Sequence, residues 1–236
     1  MPDRRPARAA ALREAITAAH IDALVITSLP NVRYLTGFSG SSALLLVTQR
    51  DLHLITDFRY DTQVRDEVGD LATIRIEAMS LWSGLWALAA GMSGIEVVGF
   101  ESAHLLHRDF QRLLTDGTRW QWRPQLNLVE ALRESKDADE VALIKHAGEI
   151  AIRALKKTIE GIRPGLTELN VAGILEHSLR DEGSEEFPFS AIVASGPRAA
   201  LPHARASSRV IERGDLLLLD FGASTRVTAP TSRARS

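Results

Sequence analysis

Apolar positions along the chain alternate between a helical spacing and short continuous runs, which predicts helices and strands in turn over the first ~120 residues. Leu12, Ile16 and Ala19 mark one face of a first helix, and residues 22–28 read as a first strand, broken at Pro30. Two further strands, residues 42–48 and 52–57, are joined by Gln49-Arg50-Asp51 and predict an antiparallel hairpin. More strands are expected at 73–77, 95–100 and 118–123, with helices around 81–90 and 103–114. A hairpin among strands separated by helices implies a mixed sheet in an α/β fold.

Pro124 and the polar Gln125-Leu126-Asn127 mark a domain boundary, giving an α/β domain over 1–125 and a second domain over 126–236. The second region opens with Asp137 and Asp139, which complement a helix N-terminus, and Val141, Ile144, Ala147, Ala151, Ala154, Leu155 and Ile159 follow at helical spacing. Thr167 is a good cap for another helix, which Gly183 ends. Strands should follow at 190–194 and 216–219. The second of these is four consecutive Leu ending in one acid, Asp220. Such a run suits a strand covered on both faces. The tail after residue 223 has no Leu, Ile, aromatic residue or acid with which to cover it, so an uncovered apolar edge is expected.

Composition narrows the classes. A net charge of -2 supplies no field for nucleic acid or an anionic membrane. No apolar run reaches the ~20 residues a membrane helix needs. The absence of cysteine removes disulfides, thiolate metal sites and a Cys nucleophile, and fits the cytoplasm.

Several local signals have ordinary explanations. Asp220-Phe221-Gly222 imitates a kinase metal motif, yet no Gly-rich loop, strand Lys or His-Arg-Asp loop precedes it. Ser39 and Ser41 in GFSGSS lack the second Gly of a nucleophile elbow and read as a turn entering a strand. His104 and His107 are placed on the surface of a helix with no carboxylate at ligand spacing. Asp57, Arg59 and Tyr60 read as an ion-paired turn, and Trp82, Trp86, Trp120 and Trp122 as packing residues.

Three segments together carry more: NVRYLTGFSGSSALLLVT, LITDFRY, and RPGLTEL followed by FPFSAIVASGPRAALPHARAS and GDLLLLDFGA. In this order they resemble the proline-specific metallopeptidases, aminopeptidase P and prolidase. That resemblance implies a mixed-sheet creatinase-type N-terminal domain followed by the first half of an α+β pita-bread catalytic domain. It also implies two divalent metal ions, manganese or cobalt, held by two Asp, one His and two Glu, with proline-containing peptides as substrates and a homo-oligomeric protein. Asp220 takes the place of the first metal-ligating Asp. His203, in LPH, matches a family histidine that lies beside the metals and contacts substrate. Paired cations lower the pKa of a shared water and polarise the scissile carbonyl, which one Asp alone cannot do.

The departure comes after Asp220. The family continues into a motif of the form Tyr-x-Ser-Asp-x-Thr-Arg-Thr carrying the second Asp, whereas this chain has Thr228 and Thr231 at the Tyr and Asp places. With the usual codons for these residues, TCN for Ser232 and CGN for Arg233 and Arg235, reading each third codon base from Val227 to Ala234 with the first two bases of the next codon gives NAC, NGC, NCC, NAC, NTC, NCG, NGC and NCG. These triplets permit Tyr-Gly-Ser-Asp-Leu-Thr-Arg-Thr, in register. Residues from about 224 are therefore expected to be an out-of-frame tail, and the chain a C-terminally truncated Xaa-Pro peptidase without turnover and with no stably bound metal. The other reading is a non-catalytic oligomerisation or peptide-binding module of the same fold.

Overall fold

The computed structural model describes residues 3–225 and 233–235. Two compact units divide the chain, Met1–Ser135 and Lys136–Ser236.

In the first unit, β1 (Ala23–Ile26) lies between β2 (Ala43–Thr48) and β5 (Val97–Glu101). It is antiparallel to β2, with Val25 opposite Leu46, and parallel to β5, with Val25 opposite Phe100. With β3 (Leu52–Asp57), β4 (Thr73–Glu77) and β6 (Gln121–Gln125), the six-stranded order is β4-β3-β2-β1-β5-β6. The mixed sheet and its hairpin match the expectation.

Every residue of β1 and β2 is buried because successive side chains serve opposite faces. Leu24, Ile26, Leu45 and Val47 join one core with α1 (Arg5–Ala18), α2 (Leu29–Thr36) and α3 (Asp61–Val68). Ala23, Val25, Leu44 and Leu46 join the other, beneath α4 (Leu81–Gly91) and Trp120. α1 has no side-chain cap. Packing therefore holds it: Leu12 and Ile16 are fully buried, each contributing about 2 kcal/mol, against about 1 for a cap.

Some boundaries differ from the sequence pattern. Pro30 does not break the chain but sits in the first turn of α2, where its missing N–H is not needed, and Gly37 (φ +81°) ends that helix. α5 is short (His107–Thr115) and leaves His104 in the turn before it. Pro124 lies inside β6, an edge strand, where it removes no interior ladder bond. The domain division falls at Ser135 rather than 125, because α6 (Leu128–Glu134) buries Val129 in the first core.

In the second unit, Asp137 and Glu140 form a capping box for α7 (Ala138–Gly161), and Thr167 and Asn170 form one for α8 (Glu168–Asp181). α7 presents Leu143, Ala147, Ile150, Ala151 and Ala154 to the core. Val141 and Ile159, expected on that face, are exposed, so the buried stripe is rotated from the one the sequence pattern marks. β7 (Ile192–Ser195) pairs antiparallel with β8 (Leu217–Asp220). β9 (Gly222–Ser224) pairs antiparallel with β10 (Arg233–Arg235). Contrary to a strand covered on both faces, β8 is only half-buried, and Leu216 before it is 73% exposed. Ile150, Leu175, Leu179, Ile211 and Phe221 are the larger members of this unit's core, with Val171 and Val193 beside them.

Candidate active site

Asp220 ends β8 opposite Ile192, half-buried, and Phe221 directly after it is buried in the core of the second unit. At the other end of the β7–β8 ribbon, Ser195 faces Leu217. There the chain leaves β7 into a 3-10 turn, Gly196–Ala200, and then the exposed turn that carries His203. The two predicted residues thus stand on segments joined through one small ribbon.

Among the described residues, no group of three or more His, Asp and Glu lies close enough together to hold a metal ion. A single carboxylate offers at most two oxygens, against the four or so donors that a site for one such cation requires. The described donor set does not fit a dinuclear centre and by itself supports no metal-dependent step. The places of the absent second Asp, at Thr228 and Thr231, lie outside the described residues.

What the second unit does build around the His203 loop is a set of paired charges centred on one buried carboxylate. Glu168, the first residue of α8, is fully buried. Its Oε1 accepts from the Ser195 N–H at 2.8 Å and the Ser195 hydroxyl at 2.9 Å. Its Oε2 accepts from the Ser207 N–H at 3.0 Å and the Ser207 hydroxyl at 2.7 Å. Arg198 Nε donates to the same carboxylate at 3.1 Å. Burial pushes the Glu168 pKa up, but the donors on Ser207 and Ser195 outweigh it and hold the group at about 2.

Behind this cluster, Arg209 Nη1 donates to the Ser195 hydroxyl at 2.6 Å and to Asp215 Oδ2 at 2.6 Å. That pair lowers the Asp215 pKa and raises the Arg209 pKa. Gly196 has φ +54°, and a Cβ there would lie 2.6 Å from Asp215 Oδ1 and 2.7 Å from Arg209 Nη2. Only glycine fits this corner. The sequence pattern marks Thr167 as the cap of this helix and does not single out Glu168, whose partners at 195, 198 and 207 lie far along the chain.

In the first unit, the remaining candidates take structural roles. Asp57 accepts from the Arg59 N–H and forms a two-point ion pair with its guanidinium, which lowers the Asp57 pKa. Ser39 donates to Glu67 Oε1 at 2.5 Å and accepts from Gln63 Nε2, and Ser41 bonds the Tyr60 hydroxyl. The Trp residues pack: Trp82 stacks on Trp86, and Trp122 meets Trp86 and Trp120 edge-on. His104, with no carboxylate at ligand spacing in the sequence, lies 2.8 Å from Glu130 Oε1. That carboxylate comes from α6, to which the sequence pattern assigns no element.

Residues 8–135 match the creatinase/prolidase N-terminal domain, and residues 142–234 match metallopeptidase family M24. The chain is 36% identical over 203 residues to the uncharacterized peptidase YqhT of Bacillus subtilis, covering 86% of this chain and 57% of that protein. It is 31% identical over 205 residues to a Xaa-Pro dipeptidase of Pyrococcus horikoshii, covering 86% and 56%. The solved Xaa-Pro dipeptidase from Bacillus anthracis superposes with a TM-score of 0.87 at 33% identity, over 94% of this chain and 62% of that one. The chain thus spans less than two thirds of the length of these relatives. Its two units in their order, each matching its own half of the same architecture, place the chain in the family of M24 metallopeptidases that carry a creatinase/prolidase N-terminal domain.

Proposed function

We propose that this chain belongs to an Xaa-Pro peptidase, which hydrolyses the bond before proline with two divalent cations, manganese or cobalt. In it, Asp220 is one of the metal-ligating carboxylates. His203 is the group that hydrogen-bonds the substrate peptide; a neutral imidazole can donate from one ring nitrogen and accept at the other. The observation that carries this reading is the placement of these two residues on the strand and loop that follow the Glu168 clamp, inside the region matching the metallopeptidase family. The bound cations supply an activated water and polarise the carbonyl. The remaining ligands are not found among the described residues. We therefore hold that the chain as given turns over no Xaa-Pro peptide, and that residues from about 224 are read out of frame.

Sequencing the gene beyond codon 222 tests the frame. Assay of the chain, and of a version in which the displaced frame is restored, with Leu-Pro and a Leu-Pro-headed tripeptide in Mn²⁺ or Co²⁺ tests the chemistry. The restored protein is expected to release product and D220N to abolish it. Turnover by the chain as given would overturn the inactivity, and an inert restored protein would overturn the assignment.

A further inference from the structure

We propose that Glu168 is a positioning residue for His203: its two carboxylate oxygens close the neck of the 196–206 loop and thereby fix the path of the turn that carries the imidazole. This rests on the reading of His203 as the substrate-contacting group. The division of labour between the oxygens is the reason for the proposal. Oε1 takes both donors of Ser195, where the chain enters the loop, and Oε2 takes both donors of Ser207, where it leaves. One buried side chain therefore holds both ends.

The loop gains a second tie from within. Arg198, bonded to the Glu168 carboxylate through Nε, uses Nη2 to donate to the Arg205 carbonyl at 2.6 Å. Arg198 and Arg205 lie on either side of His203, so the guanidinium spans the turn. The backbone beneath is equally constrained. Glu168 N–H donates to the Arg209 carbonyl, Leu169 N–H to the Ser207 carbonyl, and Thr167 bridges Val210. The start of α8 and the exit of the loop are thus one rigid piece, and an anion at a helix N-terminus is stabilised by the helix dipole. A structural acid serving only its own helix would need none of the contacts to Ser195, Arg198 and Ser207. His203, by contrast, is exposed in its turn. Its position is set by how the loop is held at the neck and by Arg198.

The test compares the full chain with E168Q by peptide-resolved hydrogen exchange and by NMR of the histidine ring C–H resonances, with H203N assigning the His203 signal. An amide in place of the carboxylate loses one oxygen and turns two donors toward donors. E168Q is expected to raise exchange in 197–206 by roughly tenfold while β7 and α7 change by less than about twofold. It should also move or broaden the His203 resonance and leave those of His20, His53, His104, His107, His146 and His177 in place. A purely structural role would shift the exchange of the whole second unit together. Unchanged exchange in the loop, or an unmoved His203 signal, overturns the proposal. Should E168Q fail to fold, S207A, which removes one donor, is read instead: roughly threefold faster loop exchange supports the proposal and no change overturns it. Neither readout needs metal or substrate, so failure here is distinct from failure of the peptidase reading.

Discussion

Asn31 Nδ2 donates to Glu101 Oε1 at 2.6 Å and to Glu130 Oε1 at 2.5 Å, so one buried amide ties two carboxylates, one from the sheet and one from α6. Arg133 completes the group by donating to Asn31 Oδ1 at 2.7 Å. N31A removes a donor from a buried carboxylate and is expected to destabilise the first unit by about 3 kcal/mol. All four Trp lie in that unit, so urea unfolding followed by Trp fluorescence reads the effect directly. A loss below about 1 kcal/mol would show that water replaces the amide at little cost.

Acid should act through Glu168 and through Glu101 in opposite senses. Glu168 is held at about 2, below its ordinary 4.5. Its stabilisation is therefore complete above pH 4.5 and disappears as pH falls toward 2. The charged groups around it are Arg198, Arg209 and Asp215. Relative to wild type, E168Q should speed exchange in the 197–206 loop by roughly tenfold at pH 6 and by only about threefold at pH 3, after allowance for the intrinsic rate at each pH. An effect independent of pH would mean that the bonds depend on shape and not on the charge.

Glu101 has the reverse sign. Burial raises its pKa against the hydrogen bonds of Asn31, Ser28 and Thr27, with Glu130 adding repulsion. Its ionisation is easier in the unfolded chain, so it subtracts stability as pH rises above 4.5. Fluorescence-detected unfolding of E101Q is expected to show a flatter dependence between pH 4 and 7 than wild type. A parallel pair of curves would remove Glu101 from the account.

Gly84, in α4, has room for no side chain: a Cβ would lie 2.8 Å from Ile55 Cγ2 and 2.7 Å from Glu77 Cγ. G84V should lift the helix from the sheet and cost about 3 kcal/mol, with a change in Trp emission as the Trp82 and Trp86 pair moves. An unchanged spectrum with full stability would mean that the helix slides freely.

Gly196 tests the other unit. G196A forces a left-handed φ on alanine and drives its methyl into the Arg209–Asp215 pair. A loss of about 2 kcal/mol is expected, with faster exchange at Ser195 and Gly196. Retention of both would place the pair's flexibility above the steric argument.

The sheet of the first unit was readable because β1 and β2 are buried on both faces, leaving continuous apolar runs between turn residues. α2 was not, since a proline at a helix start and a proline ending a strand look the same in sequence, and only the packing of Val32 and Leu35 separates them. α6 was hidden by brevity: Leu128, Val129 and Leu132 are too few to outweigh the polar residues before them. At the candidate site, Asp220 and His203 could be picked out by their motifs. Glu168 could not, because its partners at 195, 198 and 207 are distant in sequence and nothing in a helix-starting acid announces burial.

The placement of β1 also bears on how the chain is made. Its β2-facing side can be satisfied once the hairpin has formed, but its other side waits for Val98, Gly99 and Phe100. As the polypeptide emerges from the ribosome, one flank of its most apolar ribbon stays open while all the intervening residues are synthesised, and non-local closures of this kind are slow. That interval is when a nascent chain is exposed to mispairing with a neighbour, and when a chaperone would have most to gain by holding it.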